Sequence, residues 1–136
     1  MLFINNSEKN PEYGVLAARI AIDNHQKNTK YTMLQVVEKL YNNVNINGKH
    51  SPVVSKELYD IVQKNSDILE QTIDYTRDFL FNYFGFCTLL KAYLLKVEDD
   101  VIERPQHLWM RVAIGLHSDN IPKAIESFNS SLQVNP

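Results

Sequence analysis

One cysteine, Cys87, is the whole thiol complement of the chain, which excludes an internal disulfide framework and any multi-thiolate zinc or iron–sulfur site built from these residues alone. Glycine is nearly as scarce. Gly14, Gly48, Gly85 and Gly115 stand far apart, so neither the two-glycine-plus-lysine phosphate loop nor the three-glycine dinucleotide turn is assembled here. Too few turn pairs remain for an all-β sandwich, which needs a reversal every ten residues or so. An excess of basic charge is missing too. With 14 Lys plus Arg against 16 Asp plus Glu and a pI near 6.1, the chain lacks the basic stripe of a nucleic-acid binder. No run approaches the roughly 18 apolar residues that cross a bilayer, and Met1 to Ile4 is too short for the apolar stretch of a signal peptide. These absences predict a reducing, cytoplasmic setting with neither nucleic acid nor membrane as partner. What is present suffices for a core: 136 residues, 44% apolar and 22% charged, the make-up of one ordinary globular domain.

The chain reads as mainly α. From Pro11 to about Asn28, a proline in the first turn and Glu12 beside it open a helix that places Leu16, Ala17, Ile20 and Ala21 at helical spacing. Met33, Val36, Val37, Leu40 and Tyr41 form the clearest apolar stripe. The asparagine-rich run Asn42 to Ser51, closed by Pro52, reads as a loop. Ser55 is placed to cap a helix carrying Leu58, Ile61 and Val62, and Asn65-Ser66-Asp67 separates it from a second short helix with Ile68, Leu69 and Ile73. The aromatic stretch Phe79 to Leu95 follows no single period around Gly85 and is expected to be deeply buried. Residues 93–102, around the acidic turn Glu98-Asp99-Asp100, fit a small β-hairpin. Pro105 starts a helix through Leu108, Trp109, Val112, Ala113 and Leu116; Asp119 or Asn120 caps another with Ala124, Ile125 and Phe128.

None of the reactive side chains forms a recognisable site. His25, His50, His107 and His117 lack metal-ligand spacing and read as surface or hydrogen-bonded structural residues. Cys87, beside Phe86, reads as core packing, since apolar surroundings raise a thiol pKa. Glu38, Glu57, Asp60, Glu98, Asp99 and Asp100 read as solvated charges rather than as paired carboxylates. Within Asp74-Tyr75-Thr76-Arg77-Asp78, the arginine between two acids predicts partly buried ion pairs. Glu103-Arg104-Pro105-Gln106-His107 reads as a helix start whose Arg104 and Gln106 satisfy backbone groups.

Four strings go beyond composition: LAARIA at Leu16 to Ala21, NGKHSP at Asn47 to Pro52, RDFLFNYFGFCTL at Arg77 to Leu89, and YLLK with ERPQHLWMRVAIG between Tyr93 and Gly115. In this order and spacing the chain resembles, from about Asn10 to Asn129, the N-terminal helical region of the large, catalytic subunit of class I ribonucleoside-diphosphate reductase of the eukaryotic and large-DNA-virus type. The resemblance implies a mostly helical fold with a small hairpin before ERPQ, packed as a cap on a ten-stranded α/β barrel. It divides the chain into residues 1–9, a remnant of the link to an ATP-binding regulatory domain of roughly 90 residues; residues 10–129, the helical domain; and residues 130–136, a tail that departs from the family and is expected to be disordered.

On this reading the regulatory domain and the barrel, with its radical-forming cysteine, reducing cysteine pair and ribose-contacting Glu and Asn, are expected to be absent from the 136 residues. Cys87 matches none of those cysteines, so no catalytic residue and no metal ligand is assigned. ATP and dATP are allosteric effectors in the family. The position matching Lys27 lies at the junction with the ATP domain, where a lysine reaches effector phosphates; outside that setting Lys27 reads as a solvated side chain. The family's partners are the small subunit and a second large subunit. The resemblance therefore implies a partial reductase large subunit whose family role is reducing ribonucleotides to deoxyribonucleotides for DNA synthesis, inactive alone. The alternative is a non-enzymatic helical module that contacts reductase subunits or another partner.

Overall fold

A computed structural model describes residues 11–133. Its first helix, α1 (Pro11–Asn28), carries Glu12 in the first turn, where a carboxylate suits the helix dipole. The alanine-rich side of α1 turns inward. Ala17, Ala18 and Ile22 are buried, whereas Leu16 and Ile20, expected on the inner stripe, are 49% and 53% exposed. The small side chains let another helix approach closely, and this places the large ones outside.

Helix α2 (Met33–Tyr41) is the centre of the main core. Thr32 and Gln35 form a reciprocal capping box at its start, and Met33, Val36, Val37 and Leu40 are all buried, as the periodicity predicted. Helix α3 (Lys56–Lys64) is capped by Ser55, whose hydroxyl accepts from the Leu58 amide at 3.1 Å. Helix α4 (Ser66–Thr72) follows after Asn65 and buries Leu69, while Ile68 faces solvent. Between α2 and α3, the loop closes on the Val44–His50 bridge and on hydrogen bonds such as Ser51 N–H to the Asn43 carbonyl and His50 Nε2 to the Tyr41 carbonyl.

The aromatic stretch corrects the expectation of deep burial. It comprises a 3-10 helix over Tyr75–Leu80, a short α5 (Tyr83–Thr88) and one π-helical turn over Leu89–Tyr93. Three different helical pitches in succession explain why no single period fits the sequence. Only Phe86, Leu89 and Leu94 among its apolar side chains are buried; Leu80, Phe84 and Tyr93 are 67%, 81% and 58% exposed. Phe86 packs with Ala18 and Ile22 in a second, small core where α5 lies on α1. A helix with one covered face cannot bury aromatics on the other.

The hairpin is present and shorter than its hydrophobic flanks suggested: β1 (Lys96–Val97) pairs antiparallel with β2 (Asp100–Val101), Lys96 opposite Val101. Glu98 and Asp99 both have positive φ, 51° and 68°, the two-residue turn whose twist matches a hairpin. Helix α6 (Pro105–His117) begins on its proline, and α7 (Ile121–Gln133) packs along it. Met110, Ala113, Ile114, Ala124 and Phe128 are buried between these helices and the α2 core, whereas Val112 and Leu116, expected to be core, are 49% and 72% exposed. The expected tail begins inside α7: Ser130–Gln133 are helical, and Val134–Pro136, like residues 1–9, lie outside the described residues. Among the described residues no helix is long and apolar enough to cross a membrane.

Candidate functional site

The densest polar chemistry lies where α6 begins. Glu103, Arg104, Gln106 and His107 are all buried, because Pro105 starts α6 within the body of the fold and its first amides need protein partners instead of water. The end of helix α1 and Thr29 just past it, 75 to 78 positions away in sequence, meet the Glu103 carbonyl and the Arg104 side chain. His25 Nε2 meets the Glu103 carbonyl at 2.9 Å. Arg104 donates to Thr29 Oγ1 at 3.1 Å and to the Gln26 carbonyl at 2.8 Å, with its guanidinium 4.7 Å from the Tyr75 ring centroid.

The 3-10 segment closes the other side. Asp78, fully buried, accepts from Gln26 Nε2 at 2.9 Å and Gln106 Nε2 at 3.3 Å. Burial holds its carboxyl above the usual range, partly offset by those two amides and the Arg104 charge. Gln106 also donates to the Asp74 carbonyl and accepts from the Asp74 amide. The predicted Arg77 ion pairs do not form: among the described residues Arg77 bridges neither acid, Asp74 caps the 3-10 turn through Thr76, and Asp78 turns inward to the glutamines. The two acids lie four positions apart on a tight helix, so one faces water and the other the interior.

A directed relay runs from this point to the main core. Burial and the neighbouring Arg104 charge push His107 down to about 3, so the ring is neutral. Its Nδ1 accepts from the Arg104 amide at 3.1 Å, which leaves the proton on Nε2. That N–H donates to Tyr75 Oη at 2.9 Å, and the Tyr75 hydroxyl donates to Glu70 Oε2 at 2.8 Å. Glu70 also accepts from the Met33 amide, the first of α2, at 2.8 Å. Burial and the Glu70 contact raise the Tyr75 pKa strongly, so this hydroxyl keeps its proton. His25 is likewise shifted down, chiefly by burial. Beside the relay, Glu103 accepts from Arg111 Nε at 2.6 Å and from the Leu95 amide at 3.1 Å, tying the hairpin to α6.

This arrangement is a clamp. Its acids, bases and hydroxyls are bonded to each other, and among the described residues no buried side-chain nitrogen or oxygen lacks a partner, so the cluster presents no free nucleophile or base to a substrate. The other candidates behave similarly. His50 Nε2 bonds the Tyr41 carbonyl and His117 Nε2 bonds Ser127 Oγ, each at 2.6 Å. Cys87 is half-buried rather than core, within reach of the Tyr83 hydroxyl. Among the described residues, no three His, Cys, Asp or Glu side chains converge as a metal requires. Lys27 lies outside the clamp, paired 3.0 Å from Asp23 on the solvent side of α1 with 69% of its side chain exposed. The sequence singled out Glu103 to His107 and the run Asp74 to Asp78, and gave no sign of Gln26, Thr29 and Glu70, which no local pattern marks.

Among the described residues, apolar grooves lie outside the clamp. One, of about 590 Å³, lies between Val15, Ala18 and Arg19 of α1 and Phe79 to Phe84. Another, about 250 Å³, runs along Leu108, Val112 and Leu116 beside Ser127 and Ser131.

Residues 79–133, which hold α5, the hairpin, the ERPQH helix start and α7, match the ribonucleotide reductase all-alpha domain. Over 125 residues, 91% of the chain, the sequence is 51% identical to the ribonucleoside-diphosphate reductase large subunit of Danio rerio. It is 53% identical over 122 residues, 89% of the chain, to that of Monkeypox virus. The chain belongs to the ribonucleotide reductase large-subunit family. Identity to the family's Schizosaccharomyces pombe large chain is 48% over 122 residues. The chain spans about 16% of the length of the Danio and Monkeypox relatives and 15% of the yeast one. The described residues 11–133 form a clamped helical domain with apolar grooves along its surface.

Proposed function

We propose that these residues act as a scaffold within a ribonucleoside-diphosphate reductase large subunit, serving the reduction of ribonucleotides to deoxyribonucleotides for DNA synthesis without supplying a reacting group. The observation that carries this reading is the ERPQH clamp, in which every acid and base is committed to holding α1, α2 and the hairpin in register. Removing a ribose 2′-hydroxyl by radical chemistry calls for a thiyl radical and a proximal dithiol that gives up two electrons; the sequence holds one cysteine. The two grooves fit faces that pack on further polypeptide, and the partners on this reading are the small radical-bearing subunit and a second large subunit. ATP and dATP are the effectors, with Lys27 in reach of their phosphates once a regulatory domain lies beside α1, in a cytoplasmic setting.

Two measurements test this. The purified chain, mixed with small subunit, dithiol, ATP and each ribonucleoside diphosphate, is expected to yield no deoxyribonucleotide; turnover lost on Cys87→Ser would overturn the assignment. Conversely, the Danio rerio large subunit carrying residues 11–129 in place of its matching segment is expected to retain reductase activity, and a well-folded but inactive chimera would count against the scaffold role. The competing reading, a binding module acting outside the reductase, is favoured only by the exposed grooves. It predicts a folded chimera without activity.

A further inference from the structure

The loop between α2 and α3 carries a reactive pair that the scaffold role does not use. Asn47 precedes Gly48 at a loop tip where Ile46 is fully exposed to solvent. A Cβ built on Gly48 would meet nothing within 4 Å, and its φ is +76°. Asn45 Oδ1 accepts from the Asn47 amide at 2.9 Å and from the Lys49 amide at 3.1 Å, while the Asn47 side chain has no hydrogen-bond partner among the described residues. Asn43, Asn65, Asn82 and Asn120 differ on both counts: each side chain is engaged, and none is followed by glycine.

We propose that Asn47 is a site of spontaneous covalent modification, deamidation through a cyclic imide, and that opening of the Asn45–Gly48 turn sets its rate. The Gly48 amide, having lost its proton to hydroxide, attacks Asn47 Cγ; the N–Cγ bond forms, the Cγ–NH2 bond breaks, and ammonia leaves. Water then opens the ring at either carbonyl, giving aspartate or the β-linked isoaspartate, with no change of oxidation state. Glycine is what makes the attack feasible, since a side chain at position 48 would crowd the ring. The folded turn restrains it, because the Gly48 N–H donates to the Asn45 carbonyl at 2.9 Å and must leave that bond before it reacts. Either product adds a negative charge beside Lys49 and His50, and the β-linked one lengthens the backbone. The β-linked product therefore strains the contacts that close this loop, the Val44–His50 bridge and the His50–Tyr41 hydrogen bond.

The test is to hold the 136-residue chain at 37 °C and alkaline pH, digest it, and follow the Asn47 peptide by mass and by methylation with an isoaspartyl methyltransferase. A gain of one mass unit at Asn47 ahead of every other asparagine, with isoaspartate exceeding aspartate, is expected. Asn45→Ala, which removes the side-chain acceptor that holds the turn, is expected to speed the reaction several-fold, and Asn47→Gln to abolish it. The proposal is overturned if another asparagine converts first, if only aspartate forms, if Asn45→Ala leaves the rate unchanged, or if Asn47 stays intact while a free Asn-Gly peptide converts.

Discussion

At the scale of single residues, His107 makes acidity the sharpest lever on this fold. The folded chain holds the ring neutral down to about 3, against 6.5 for an ordinary histidine. Between those values the unfolded chain binds a proton that the folded chain does not, so each step down in pH favours unfolding, by up to about 1.4 kcal/mol per unit for one such group. His25, also lowered, chiefly by burial, adds to the slope as pH falls below its ordinary value. Asp78 is raised and works the other way: its protonation is easier in the folded chain, so its contribution grows as pH falls through the carboxylate range. Urea unfolding at pH 7, 6 and 5 is expected to show a falling midpoint, and His107→Gln, which keeps an acceptor for the Arg104 amide and a donor for Tyr75, is expected to flatten that fall. An unaltered slope in the variant would mean that other groups set the acid sensitivity.

Among the elements, the hairpin turns on residues in a conformation that costs them energy. Two non-glycine residues, Glu98 and Asp99, occupy the left-handed region, a conformation that glycine and asparagine adopt more readily. The strands are only two residues each, so it is the docking of the hairpin, through the Leu95 amide on Glu103, that keeps the turn in place. Replacing the pair with Asn-Gly is expected to raise stability by up to about 1 kcal/mol, read as a higher urea midpoint with unchanged denaturant slope. A lower midpoint would show that the acidic side chains do more at this turn than tolerate it.

On the scale of the whole molecule, the two apolar grooves and the outer face of α1 leave a folded chain with exposed large side chains, among them Phe84 at 81%, Leu116 at 72% and Leu80 at 67%. Contiguous apolar surface of this kind drives association when nothing covers it. The isolated chain is expected to bind an apolar-surface dye and to self-associate as its concentration rises. Leu80→Asp combined with Phe84→Ser is expected to reduce both without lowering the urea midpoint, because neither side chain belongs to a core. A strictly monomeric chain with no dye signal would contradict this account of the surface.

Much of the secondary structure was legible in the chain. The spacing of Met33, Val36, Val37 and Leu40, the Ser55 cap, the Pro105 helix start and the hairpin around Glu98 are all set by contacts within a few residues, so a linear reading finds them. The strings NYFGF and ERPQH likewise carried the family. The sequence did not decide which side of each helix is covered, because that depends on which elements meet. Ala18 rather than Leu16 faces the interior because Phe86 of α5 packs there, and Val112 stays outside because α7 covers the other side of α6. The clamp belongs to tertiary structure for the same reason: Gln26, Thr29 and Glu70 look like ordinary polar residues in the chain, and nothing local says that they share a site with Asp78 and Gln106. They become one site only when folding brings α1, the 3-10 turn and α6 together and excludes the water that would otherwise bond them.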